Sequence, residues 1–521
     1  MQTLEWRRRI DHWRSVMVKL LTVPVAEVAF TGFVSTDSLT PPEALKRRFK
    51  PMPAGTPWGG KWAYGWFKAT ITLPRSVAGE RVVLQANVGG ESAILIDGAH
   101  QGATDHWHKA VTLTNRAKGG ERFSVLIESY AGHGPLVVGG GPVPHGELTV
   151  PEPGPTQVSV GTSRIAIWEE ELYQLSMDTE TLVQLRDAMA DRESLRVAEI
   201  DDALKRLTLV VDLELPRAAM MKTVRAGRAL LKPLLDRRNG STAPRMSCFG
   251  HSHIDVAWLW PLQETERKCS RTFASQLALM REYPEYKFLQ SQAHLYWMVK
   301  TRYPQLYQRV KAAAKKGQWV VDGAMWVEPD TNVTGGESLI RQFIHGKRFF
   351  REEFGVDSRL MWLPDVFGYS GSLPQIMKGC GIDHFSTQKI AWTYNGGDPF
   401  PHNLFWWTGI DGTRVLSYLH NDYNSESTPT AIMARWNERV QKDATHKGRL
   451  VPFGWGDGGG GPTRDHLEYL RRERDLEGLP RCVIETPAEF FAAADTAGIP
   501  TWVGELYYQA HRGTYTSQAK T

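Results

Sequence analysis

Three regimes of hydrophobic and polar spacing divide the chain. Between about residues 20 and 165, short runs alternate or stay apolar with β-branched and aromatic residues, as in WAYGWFKATITL (62–73), ERVVLQANV (80–88), SAILIDG (92–98) and RFSVLIESY (122–130). Gly, Pro and Asn separate them, the pattern of an antiparallel sandwich. The Pro/Gly-rich stretch 139–156 reads as the exit from that unit. In 168–240 the apolar spacing becomes helical, with acids toward the start, as in WEEELYQLSMDTETLVQLRDAMA. This predicts a helical connector that ends in the loop RRNGSTAPR (237–245). From 246 onward strand-like runs recur at MSCFG (246–250), KFLQSQ (287–292), QWVVDGAMW (318–326), RLMWLP (359–364), HFSTQK (384–389), RVLSYL (414–419) and RLVPFGW (449–455). Amphipathic segments such as ESLIRQFIHGKRFFREEF (337–354) lie between several of them. Repeated βα units imply a parallel sheet flanked by helices; the spacing fits a closed barrel and an open sheet equally.

Composition narrows the classes. A chain of 521 residues exceeds one ordinary domain, and 41% hydrophobic with 23% charged residues is the make-up of a soluble globular protein. The net charge of +5 is small and no long basic block occurs, so nothing argues for nucleic acid as a partner. No stretch approaches the roughly 20 apolar residues of a membrane span. The N-terminus carries Arg, Asp and His where a secretory signal has its apolar core, which predicts a cytoplasmic protein with no membrane partner. Cys248, Cys269, Cys380 and Cys482 are far apart and form no CxxC pair, so neither a thiolate zinc site nor a disulfide framework is expected. Asn332-Val-Thr334 matches a glycosylation sequon and is read as chance.

The chemistry gathers after the strands. Their ends read GHSHID, SQAH, VEPD, LPDVFGYS, STQK, LHND and GWGDGGGG, which brings His251, His253, Asp255, His294, Asp330, Asp365, Lys389, Asp422 and Asp457 to one surface. In α/β sheets and barrels alike, active sites form at the carboxyl ends of strands. Clustered imidazole and carboxylate ligands in HSHID suit a divalent ion, zinc above all, although amidohydrolases and deacetylases use the same ligand types. Trp258 and Trp260 follow closely; such faces stack on sugar rings or simply pack inside. The glycines after Asp457 let backbone and ligand approach it, and GDGGGGPT lacks the ending of a phosphate-binding loop. Two acids from different strands facing one cavity are what glycoside hydrolysis requires.

In that order, GHSHIDVAW, VEPDTNVTGGESLIRQFIHG, LPDVFGYSGSLPQI, the TQK strand, GWGDGGGGPT and GELYYQAHRGTYTS resemble the motifs of glycoside hydrolase family 38, the class II α-mannosidases, in its cytosolic and bacterial branch. The resemblance covers about residues 240–521. It implies an α/β fold with a seven-stranded β/α barrel at 241–500, preceded by a β-sandwich at 1–165 and a helical connector at 166–240. Residues 501–521 would open a further helical domain, truncated here. It implies one zinc per chain, with cobalt as a substitute, on His253, Asp255, Asp365 and His511. Asp365 would double as nucleophile and Asp457 would be the acid/base. His251 would sit behind the ligand pair, and Trp258, Phe367 and Lys389 would line the sugar site. Lys389 stands where Golgi-type members carry Arg, and HNDYN (420–424) departs from the family pattern, leaving Asp422 without a role. The implied activity is retaining hydrolysis of terminal α-mannosides in a mannose-containing oligosaccharide, with a homo-oligomer left open for a full-length protein. A zinc deacetylase or amidohydrolase, or a mannose-binding fragment without turnover, are the rival readings.

Overall fold

The computed structural model describes residues 2–134, 153–392, 398–420, 422–443 and 446–511. The sandwich forms from two antiparallel sheets. One runs Thr22–Glu27, Arg164–Trp168, Val82–Gln85, Val111–Thr114; the other runs Lys50–Pro51, Thr31–Ser35, Tyr64–Thr72, Arg122–Tyr130, Glu91–Ile96, Ala99–Thr104. Alternation decides which side chains meet: Val125 and Ile127 of one sheet pack with Leu84 and Ile165 of the other. Most of the expected exit, 139–152, lies outside the described residues.

The connector is three helices, Glu170–Ala188, Leu195–Val210 and Arg217–Leu235. A fourth, Gln2–Leu20, was not expected. Its Trp6, Ile10, Trp13 and Met17 recur at helical spacing and bury against Leu172, Leu175, Ile200 and Leu204.

All seven expected strands of the C-terminal half form and pair in parallel where they pair with one another. They occupy two sheets. Trp319–Val321, Phe288–Gln290, Arg245–His251 and Gly448–Phe453 make one, with Arg481–Ile484 also on Arg245–His251. Leu360–Trp362, His384–Thr387, Arg414–Leu419, Leu404–Thr408 and Thr501–Val503 make the other. No closed barrel ladder is found among the described residues. At one of the two gaps an inserted strand, Leu404–Thr408, runs antiparallel along the edge of Arg414–Leu419 that would otherwise be open to Gly448–Phe453; at the other, Trp319–Val321 and Leu360–Trp362 are both edge strands. Among the described residues, two isolated parallel bridges join the sheets, Gly323 to Met361 and Ser425 to Phe453. Phe249, Leu289, Trp362, Leu416, Tyr418 and Leu450, drawn from both sheets, share one buried cluster. The fold is therefore mixed α/β, with all seven strands aimed the same way. Of the segment expected to open a helical domain, 501–511 hold the strand Thr501–Val503 and a loop, and 512–521 lie outside the described residues.

Candidate active site

The first sheet delivers His253 and Asp255 just past Arg245–His251, where the strand closes on Gly250. A Cβ there would meet the Tyr286 hydroxyl at 2.4 Å, so this position takes glycine by close packing. His253 is the hub. Its Nδ1 lies 3.0 Å from Glu328 Oε1, and its Nε2 lies 3.3 Å from Asp255 Oδ1 and 3.6 Å from Asp365 Oδ2. Burial works against a charged His253, but Glu328 and Asp255 outweigh it and hold its pKa well above that of ordinary imidazole. Glu328, 7% exposed, also accepts from the Asp365 backbone N–H. Burial raises the Glu328 pKa despite the neighbouring His253.

The other acids arrive from the ends of Leu360–Trp362 and Gly448–Phe453. Asp365 Oδ1 pairs with Lys389 Nζ at 2.6 Å. Asp457 sits in the left-handed region (φ 51°), a conformation Asp tolerates better than most residues and which the glycines around it share. Burial raises its pKa against the pull of His253 and a Tyr423 hydrogen bond, with Asp255 and Asp365 adding to the rise. The Tyr423 hydroxyl lies 2.8 Å from Asp457 Oδ1 and 3.2 Å from Asp365 Oδ1, so one side chain spans both carboxyls. Asn424 Nδ2 donates to Asp457 Oδ2 at 3.4 Å and its Oδ1 accepts from the Gly456 N–H.

A cation fits this arrangement. His253, Asp255 and Asp457 offer ligand atoms that all lie within 4.8 Å of one another. Asp255 Oδ2 is buried with no hydrogen-bond partner. A cation taking the place of the proton on His253 Nε2 would leave Nδ1–H donating to Glu328, the second partner that orients a metal-bound imidazole. The sequence-expected set named Asp365 and His511 beside His253 and Asp255, and did not name Asp457. Asp365 is at the hub. His511 has its ring 4.8 Å from Phe367, and burial and Lys389 lower its pKa while Asp365 acts the other way.

Phe367 lies 5.4 Å under the Lys389 ammonium, and Trp258 is 57% exposed. His251 stands behind His253, fully buried, accepting from Trp362 Nε1 at 3.0 Å; burial drives its pKa down to about 3. Three expected members stay apart from the hub. His294 faces Trp297 and Trp326, Asp330 accepts from the backbone N–H groups of Asn332 and Val333, and Asp422 pairs with Arg435. In two of these cases the residue that reaches the hub is a near neighbour in the same strand-end motif: Glu328 rather than Asp330, and Tyr423 with Asn424 rather than Asp422.

Residues 243–505 match the Glycosyl hydrolases family 38 N-terminal domain, half of the chain. The chain belongs to glycosyl hydrolase family 38. Residues 23–145, which hold most of the sandwich strands of the family 38 chain, match the alpha-mannosidase jelly roll domain. Its relatives include Alpha-mannosidase 2C1 of Homo sapiens, 36% identical over 95% of this chain and 47% of that protein. Alpha-mannosidase G of Dictyostelium discoideum is 34% identical over 92% of this chain and 44% of its own length. An alpha-mannosidase of Saccharomyces cerevisiae is 41% identical over 52% of this chain and 26% of its own. The family 38 chain thus spans about half the length of the first of these relatives. No helix among the described residues is long and apolar enough to cross a membrane.

Proposed function

We propose that this chain forms the catalytic part of a zinc-dependent retaining exo-α-mannosidase. The observation that carries it is Tyr423 bridging Asp365 and Asp457 beside a carboxylate-rich hub with an unpartnered oxygen. His253, Asp255, Asp365 and His511 would hold the zinc. Burial, with Asp255 and Asp365 nearby, raises the Asp457 pKa, which favours a proton-transfer role for it, whereas Asp365 pairs with Lys389 and turns Oδ2 to His253. When bound, zinc would supply a Lewis-acid anchor for two sugar hydroxyls; if one of them is O2, its axial orientation in mannose would select mannose over glucose.

The protein's own residues do the rest. Asp365, paired with Lys389, forms a bond to the anomeric carbon as the glycosidic bond breaks. The bonding pair goes to the glycosidic oxygen, which takes the proton of Asp457. Asp457, now a carboxylate, removes a proton from water; the water oxygen bonds to the anomeric carbon and Asp365 leaves, so the anomer is retained. Phe367 and Trp258 present faces to the sugar. The two bridges and the shared inner cluster support reading the seven strands as staves of one barrel at 241–500, after a sandwich within 1–165 and a connector at 166–240 that the helix Gln2–Leu20 joins. Four unpaired cysteines accord with a cytoplasmic setting.

The test is release of phenol from an aryl α-mannoside with and without added zinc, followed by trapping with a 5-fluoro mannosyl fluoride. The label is expected on Asp365. An inverted product anomer, or label on another acid, sinks the reading.

A further inference from the structure

We propose that the sandwich supplies the far wall of the leaving-group subsite, so that the cleft between its 104–109 loop and Trp258 holds the pyranose released on the Asp457 side. This rests on the retaining-mannosidase reading and extends it to the oligosaccharide beyond the scissile bond. A cleft of about 700 Å³ lies between the two units, with Gln85, His106 and Lys109 on the sandwich side and Trp258, Lys268 and Asp457 on the other. Its size falls in the range of about 300–1,000 Å³ usual for ligand sites, enough for a pyranose.

Position assigns the occupant. A proton donor must touch the glycosidic oxygen, so the departing sugar starts its path at Asp457. None of His253, Asp255, Asp365, Phe367 and Lys389 lines the cleft, while Asp457 does. The cleft therefore reaches Asp457 without reaching the proposed nucleophile or the sugar-facing Phe367 and Lys389, the placement a leaving-group subsite needs. Its chemistry suits a neutral, hydroxyl-rich ring: the exposed indole of Trp258 offers a stacking face, and His106, Lys109 and Gln85 offer hydrogen-bonding groups for hydroxyls. Lys268 is already paired with Glu91, which removes its charge as a handle for an anion.

The wall is held in register with Asp457. Trp107 stacks on Trp455 with centroids 3.7 Å apart and planes 10° apart, next to the Asp457 turn. His108 donates from Nδ1 to Asp105 and from Nε2 to the Pro462 carbonyl, closing on the glycine turn from the sandwich side. At Gly460 (φ 90°) a Cβ would sit 2.8 Å from the His108 ring and 2.9 Å from Asp105 Oδ2, so this contact explains the glycine there.

The test compares the protein with its His106→Ala/Lys109→Ala variant on two substrates, an α-linked mannobiose and α-mannosyl fluoride, whose leaving group is a bare ion that fills no subsite. The ratio of kcat/KM for mannobiose over fluoride is expected to fall about tenfold, the loss of one or two hydrogen bonds to a sugar. An unchanged ratio overturns the proposal. In parallel, saturation-transfer NMR with a non-hydrolysable thio-linked mannobiose should show protons of the leaving-side ring saturated by the protein and released from it in the variant. Equal saturation in both proteins also overturns it. Absence of turnover on both substrates, with the variant-sensitive saturation still present, would remove the hydrolytic reading and leave the cleft a sugar site.

Discussion

Two clusters of buried charge, one at the domain seam and one at the strand ends, use the same side chains to opposite purposes. At the seam the helix Leu262–Glu282 lies against the outer face of the six-stranded sheet. There Arg267 meets Glu128 at 2.5 Å, Lys268 and Arg271 each meet Glu91 at 2.8 Å, and Arg271 also meets Glu264 at 2.5 Å. Three cations face three carboxylates. At the strand ends, Asp255, Asp365, Asp457 and Glu328 surround His253 and Lys389, four carboxylates against two cations. Balanced charge in a low-dielectric seam fixes orientation; a cluster with more carboxyls than cations is a place for something positive. The seam matches its carboxylates with cations one for one, and the site does not.

Removing Asp365 should produce the largest effect. Asp365→Asn deletes the nucleophile's charge while keeping its shape, and kcat on an aryl α-mannoside should fall about 10³-fold or more. Retention of a tenth of the activity would show that Asp365 is not the nucleophile. Breaking the seam comes next. Glu128 is 3% and Arg267 1% exposed, so Glu128→Gln strands a buried guanidinium and should cost about 3–5 kcal/mol of stability, read by urea denaturation. A loss below about 1 kcal/mol would place this pair with solvent-screened ones. Tyr423→Phe is milder. It removes the one hydroxyl shared by the two acids and should lower kcat about tenfold with KM little changed, because the pocket's shape is kept.

The two clusters differ as much in legibility as in purpose. HSHID, LPD and GWGD announce themselves because each acid or imidazole follows an apolar run and stands where strands end, and all seven strands were readable from those runs. The seam was not readable. In RFSVLIESY, Val125 and Ile127 face the sandwich core while Leu126, Glu128 and Tyr130 face outward, all of them buried. Apolar residues on both faces signal a covered sheet, but nothing in the run says that a helix 139 residues later provides the cover and the matching Arg267. Tyr423 and Glu328 were missed for a different reason. Within HNDYN and VEPD the eye goes to Asp422 and Asp330, yet a turn spends those aspartates on local backbone N–H groups and aims the neighbour inward. The insertion of Leu404–Thr408 at one gap was likewise hidden, since an antiparallel insertion has the same apolar signature as a parallel strand.

The smallest expected effect has the opposite sign from the seam variant, and so tests the comparison most sharply. Burial raises the Asp457 pKa, and Asp255 and Asp365 add to it, while His253 and the Tyr423 hydrogen bond act the other way without cancelling it. A carboxyl whose folded pKa exceeds its unfolded value binds its proton more tightly in the folded state, so ionising it costs stability. The cost is absent below the unfolded value, about 3.9, grows as pH rises toward the raised folded value, and is constant above it. Asp457→Asn removes the ionisation and keeps the size. In chelator-treated protein the variant should therefore match the parent near the acid end and exceed it in Tm at neutral pH, by less than the seam variant loses. Parallel denaturation curves at about pH 4 and pH 7 decide it. A variant less stable than the parent at neutral pH would mean that the Asp457 charge is compensated like those at the seam, and the contrast between the two clusters would fail at its central residue.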